Sequence, residues 1–104
     1  MGDRETEVIV MPDELHTHRF EGGTSFADGH AHRYIGVTSL TQNNPGHMHL
    51  MADNTSFVNG HLHAFRFVTG PAVYFADGHY HMYRGTTEVA DRHTHNMEGP
   101  TVLY

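Results

Sequence analysis

Side chains of two kinds alternate along most of this chain. In "HTHRFEGGTSF", His16, His18, Phe20, Gly22, Thr24 and Phe26 hold every second position, with Arg19, Glu21, Gly23 and Ser25 between them. The order returns in "HAHRYIGVTSL", "HMHLMADNTSF", "HYHMYRGTTEV" and "HTHNMEGPTVL" as His-x-His-x-(aromatic or Met)-x-(Gly or Asp)-x-Thr-x-(apolar). A period of two predicts β-strands with one special face. No 3.6-residue period competes with it, and recurring Gly and Thr disfavour helix. A further copy, "HLHAFRFVTGPAVYF", carries four extra residues and Pro71, which predicts a bulge or bend. Mid-strand glycine such as Gly22 predicts a place where a neighbour's bulky side chain needs room.

Turn words separate the strands. "ADG" at 27–29 and 76–78 and "VNG" at 58–60 fit three-residue hairpin loops closed by a left-handed glycine. Such a loop sets Phe26 against His30, Phe57 against His61 and Phe75 against His79. A two-residue Asp-Gly turn would oppose Ala27 to His30 and send histidines of successive strands to opposite faces, so the longer loop is expected. "ADR" before His93 is a weaker version without glycine, and "MPDEL" and "QNNPG" read as longer connections. Continued inward, the register pairs Thr24 with His32, Gly22 with Tyr34, Phe20 with Gly36 and His18 with Thr38, large against small.

The expected fold is all-β: an antiparallel up-and-down meander of about six long strands with a pseudo-three-fold internal repeat, closed or nearly closed into a barrel. "EVIV" at 7–10 and "TVLY" at 101–104 would help to close it. A sandwich or a hairpin solenoid is the alternative. One domain is expected over 1–104, with two-strand units near 16–42, 47–76 and 79–104.

The alternation also sorts the chemistry. All 12 histidines fall in His-x-His pairs: His16/His18, His30/His32, His47/His49, His61/His63, His79/His81 and His93/His95. Successive pairs start 14, 17, 14, 18 and 14 residues apart, which places them at alternating ends of the strands. Two histidines at i and i+2 point the same way, about 6.5–7 Å apart along a strand, and their rings can share a metal ion. Neutral imidazole suits Zn, Cu, Ni and Fe(II); zinc is the leading expectation, with copper, nickel or iron behind it. Two sites, one at each end, follow from a barrel, and three sites of four histidines would follow from ligands within each unit. In the competing structural reading histidine is a half-polar filler bonded to threonine, as in Thr24–His32 or Thr38–His18. Twelve such imidazoles would be costly to satisfy and would repel one another once protonated.

Other candidates weigh less. Glu21, Asp53, Glu88, Asp91 and Glu98 do not repeat with the motif, and Asp28, Asn59 and Asp77 read as turn residues. Met51 and Met97 hold the slot of Phe20, Tyr34 and Tyr83, so core filling is their expected role. Arg19, Arg33, Arg66 and Arg84 fall on the opposite, solvated face. No catalytic serine triad, phosphate loop or dinucleotide fingerprint is present. The net charge is −6 with neutral histidine and −6 + 12 = +6 if every histidine is protonated. Six scattered basic residues make no stripe for nucleic acid. The chain has no cysteine, no leader pattern and no apolar run near the ~18–20 residues of a membrane span, so a cytoplasmic protein with no membrane partner is expected.

In "DGHAHRYIGVTS" and "NGHLH…VTG" the chain resembles the YmaF family of small bacterial proteins with repeated His-x-His, from about Leu15 to Thr101. The resemblance implies a bacterial origin and the repeat. Asp53 in the glycine slot and the insertion near Pro71 depart from it. The expected function is transition-metal binding, storage or structural use of metal, through imidazole clusters. The rivals are a metal-dependent hydrolase or Cu/Fe oxidoreductase, and a self-assembling protein forming homo-oligomers or filaments.

Overall fold

A computed structural model describes residues 15–104. The strands are β1 (Leu15–His16), β2 (Arg19–Gly23), β3 (Arg33–Val37), β4 (Thr41–Gln42), β5 (Leu50–Asn54), β6 (Ala64–Val68), β7 (Ala72–Phe75), β8 (Gly78–Thr86) and β9 (Asn96–Pro100). Among the described residues there is no helix, and hence none long and apolar enough to cross a membrane. "EVIV" and most of "MPDEL" lie outside the described residues.

Three antiparallel hairpins, β2–β3, β5–β6 and β8–β9, form the body. The register matches expectation: Phe20 faces Gly36 and Gly22 faces Tyr34, while the Thr24 N–H donates to the His32 carbonyl and that of Thr38 to the His18 carbonyl. Apart from the nine-residue β8 the strands are short, and among the described residues the pairing falls into four small sheets rather than one closed barrel sheet. Backbone hydrogen bonds between neighbouring hairpins lie near their two ends. Ser39 N–H donates to Leu50, Gly70 to Met82 and Val102 to Arg19 at one end; Ser56 donates to Arg33, Glu88 to Ala64 and Ser25 to Asn96 at the other. These single bonds tie the first hairpin to the second, the second to the third, and the third back to the first. The molecule is accordingly long and narrow, 62 × 20 × 17 Å.

The turns differ from expectation. Ala27, not Phe26, pairs with His30, and likewise Val58 with His61 and Ala90 with His93. Each is a two-residue turn with both central φ angles positive: Asp28 at 52° and Gly29 at 83°, Asn59 at 53° and Gly60 at 82°, Asp91 at 51° and Arg92 at 67°. The histidines still face inward because one extra residue bulges on the first strand, so that Ser25 and Phe26 together oppose Ala31. The bulge turns Phe26 outward (75% exposed) with its counterparts Phe57 (69%) and Val89 (72%), which removes the expected apolar end of the inner face. The third glycine word also differs. Its turn is Ala76–Asp77, with Phe75 opposite Gly78 and Tyr74 opposite His79. At Gly70–Pro71 the chain leaves its own hairpin, and β7 pairs with the start of β8.

Between the ends lies an apolar waist of Phe20, Tyr34, Met51, Phe65, Tyr83 and Met97, all buried. Both methionines are core, as expected. A Cβ on Gly22 would stand 2.6 Å from the Tyr34 hydroxyl oxygen, so this glycine makes room for a ring. Tyr34 and Tyr83 share a hydrogen bond of 2.8 Å in the middle of the waist. Burial first, then that bond, pushes the Tyr83 hydroxyl pKa up. Arg19, Arg33, Arg66 and Arg84 are exposed.

Candidate metal centres

The histidines gather in two groups of six. His16, His18, His47, His49, His79 and His81 meet at one end (cage A), and His30, His32, His61, His63, His93 and His95 at the other (cage B). Within each group one nitrogen per ring lies within 4.8 Å of all the others, an arrangement able to hold a metal ion. Each hairpin contributes one pair to each cage, so the arrangement is two groups of six rather than three of four. Inner rings flank the waist: His18, His49 and His81 in cage A, His32, His63 and His95 in cage B. Outer rings close the ends. Ten of the twelve residues are buried, and only His61 and His93 are partly exposed.

The geometry is octahedral. In cage A every ring meets all the others but one edge to face, at centroid distances of 4.5–5.4 Å and interplanar angles of 74–89°. The remaining ring stands across the centre: His81 from His16, His47 from His18, His79 from His49. Cage B repeats this at 4.8–5.0 Å, with His63 across from His30, His93 from His32 and His95 from His61. The Nε2 atoms of His16, His47 and His79 form a triangle with edges of 3.0, 3.1 and 3.1 Å. Each also stands 3.1 Å from an inner Nε2: His16 from His49, His47 from His81 and His79 from His18. An octahedron of that edge has its centre about 2.2 Å from each corner, close to the ~2.0–2.1 Å of a zinc–imidazole bond.

Where two rings both carry the proton on Nδ1, a short Nε2···Nε2 approach between them is not a hydrogen bond. Each inner His Nδ1–H donates to a backbone carbonyl of a neighbouring hairpin: His18 to Val102 (2.8 Å), His49 to Ser39 (2.9 Å), His81 to Gly70 (2.9 Å), His32 to Ser56 (2.8 Å), His63 to Glu88 (2.9 Å) and His95 to Ser25 (2.8 Å). Among outer rings, His47 Nδ1–H donates to Asn44 at 2.7 Å, and His30, His61 and His93 donate to Asp28, Asn59 and Asp91 at 3.1, 3.2 and 2.9 Å. A neutral imidazole has a single N–H. The Nε2 atoms of His47 and His81, 3.1 Å apart, and of His30 and His32, 3.1 Å apart, therefore face each other as lone pairs. Burial disfavours a relieving proton on His81 and on His32. Desolvation, followed by repulsion among the rings, pushes His49 and His79 down to about 4 and His81 to about 3. Burial likewise lowers His18, His32 and His95. The buried Nε2 atoms of His61 and His95 have no hydrogen-bond partner. Converging, buried lone pairs are a donor set for a cation.

The residue after each repeated threonine supplies that Nδ1 acceptor, a role the strand pattern did not disclose. The Thr–Ser word does two things. Thr38 Oγ1 accepts the His18 backbone N–H at 3.0 Å within its hairpin, and the same bond recurs from Thr24, Thr55, Thr69, Thr87 and Thr101. Threonine thus serves mainly the histidine backbone rather than the ring expected of it. The following serine reaches the next hairpin: Ser39 Oγ accepts from Leu50 N–H, Ser56 Oγ from Arg33 and Ser25 Oγ from Asn96. Asp28 and Asp91 occupy turns, as read for Asp28, but their carboxylates also stand 3.4 Å from His93 Nδ1 and 3.6 Å from His61 Nδ1. Tyr104 stacks on His16 at 4.4 Å.

The family model described as "YmaF: Spore germination protein GerY/YamF" matches residues 13–103. No curated protein and no solved structure matches the chain.

Proposed function

The chain belongs to the YmaF family, and on that footing we propose that it is a transition-metal-binding protein whose twelve histidines form two six-coordinate imidazole sites. The observation that carries this reading is the Nδ1–H pattern. Backbone carbonyls hold ten of the twelve rings in one tautomer, so that Nε2 lone pairs such as those of His47 and His81 or His30 and His32 converge at 3.1 Å with no proton between them. A divalent ion at each centre turns that repulsion into bonding.

The donor number bears on the metal. Zinc, the first expectation from composition, favours four ligands in structural sites. Copper(II) favours tetragonal sites, which near-equal cage edges do not provide. Six imidazoles at octahedral corners suit nickel(II), cobalt(II) or iron(II) better than zinc. A hydrolase or an oxygen-activating oxidoreductase needs an open coordination position. Six rings leave none unless one swings away, so holding the ion is favoured over catalysis on it. The spore germination process named by the family description is the setting we propose, in a cysteine-free cytoplasmic protein.

The test is to purify untagged chain without added metal, reload it with Ni(II), Co(II), Fe(II) or Zn(II), and count ions by elemental analysis. We expect two ions per chain, a weak octahedral rather than an intense tetrahedral Co(II) spectrum, and nickel displacing zinc. Stripping the metal should lower the melting temperature by at least ~15 °C, from about 4 kcal/mol per site at a thousandfold ligand excess. Fewer than one ion per chain with an unchanged melt would sink the reading.

A further inference from the structure

The two cages are alike in donors and unlike in access. Cage A is covered. His16 pairs with Thr41 in the β1–β4 ladder, and Tyr104 lies on His16 at 4.4 Å and edge-on to His79 and His18 at 5.7 and 5.9 Å. Tyr74 packs against His79 at 5.5 Å. Cage B has no such cover among the described residues. Its outer rings come from three two-residue turns, and the His61 and His93 side chains are 10% and 11% exposed. His30 and His61 are held by the longer carbonyl bonds, 3.1 and 3.2 Å, against 2.7 Å for His47 in cage A. Around this mouth stand the Asp28 and Asp91 carboxylates, 65% and 64% exposed, each against an outer histidine of another hairpin. The third turn carries Asn59 in the same place. Inside, the Nε2 atoms of His61 and His95 are buried and unpartnered.

We propose that the outer face of cage B, with Asp28 and Asp91 at its rim, is where a divalent transition-metal ion is captured and exchanged, while cage A holds a resident ion. This rests on the metal-binding reading and assigns its two sites different roles. Oxygen ligands at the rim attract an incoming hydrated cation, and the outer rings then replace its water. The ion passes one layer of imidazoles that can turn on weak carbonyl bonds. In cage A the same movement requires Tyr104 and the β1–β4 pair to leave first.

Chain loaded with two Ni(II) ions and challenged with excess EDTA distinguishes the roles. Release should be biphasic, the phases separated by about tenfold or more; His61→Leu should remove the fast phase and His49→Leu the slow one. Asp28→Asn with Asp91→Asn keeps residues that tolerate positive φ, and it should slow reloading of the fast site about threefold or more at low ionic strength, with the difference shrinking in salt. The double variant should still bind two ions and leave the slow phase unchanged. Tyr104→Ala should speed the slow phase. Two ions leaving in a single phase, or low-salt reloading indifferent to both aspartates, overturns this inference and leaves the metal-binding reading standing. A chain that holds no nickel overturns both.

Discussion

The waist and the cages are both buried, and they are held together in opposite ways. In the waist, Phe20, Met51, Phe65 and Met97 need only contact, and the one polar pair, Tyr34 and Tyr83, satisfies itself at 2.8 Å. In the cages burial alone is unfavourable. Each inner imidazole is satisfied on its Nδ1 side by a carbonyl, while its Nε2 faces other lone pairs. The waist can hold three hairpins together without a ligand. On the metal-binding reading the cages oppose that assembly until a cation enters, and would then become its strongest cross-links.

Three experiments bear on this contrast. Phe20→Ala removes a ring from the waist and should cost about 3–5 kcal/mol in urea unfolding with or without metal, while elemental analysis still finds two ions per refolded chain. A cost that vanishes on metal loading would contradict the division. The next effect is one of acid. Neutral rings whose folded pKa lies below the unfolded ~6.5 leave stability intact above that value. As pH falls from there toward the folded values, about 4 for His49 and His79 and about 3 for His81, the unfolded state binds more protons and stability is lost. Melts of metal-free chain should therefore decline steadily below pH ~6.5; a flat profile down to pH ~4 would show that the rings are not held neutral by burial. The smallest effect has the least intuitive sign. His49→Leu should raise the stability of the metal-free chain by about 1 kcal/mol, because an apolar group replaces a lone pair among lone pairs. It should also reduce the bound ions from two to one.

Much of this architecture was readable along the chain. The alternation of His18, Phe20, Gly22 and Thr24 set one inner face, and the pairing of Gly22 with Tyr34 and of Phe20 with Gly36 followed from continuing the hairpin register inward, which set large against small. The glycine slot at Gly22 proved to be space for a ring. The turns misled, since Asp28–Gly29 makes the shorter loop and a bulge at Ser25–Phe26 restores the inward direction of His30. Both loops suit the same three letters, and their difference depends on what the next strand must present to the interior. Ser25, Ser39 and Ser56 were visible beside threonine, but their grip on the next hairpin was not. Ser25 and Asn96 are 71 residues apart.

Which side chains share a face is a property of extended backbone and needs no partner to express it. How many rings meet, in which tautomer and around what centre, is different. His18 finds its carbonyl 84 residues away and His16 its nearest imidazole nitrogen 31 residues away. Such contacts exist only after three hairpins close on one another, because no single hairpin brings more than one histidine pair to an end.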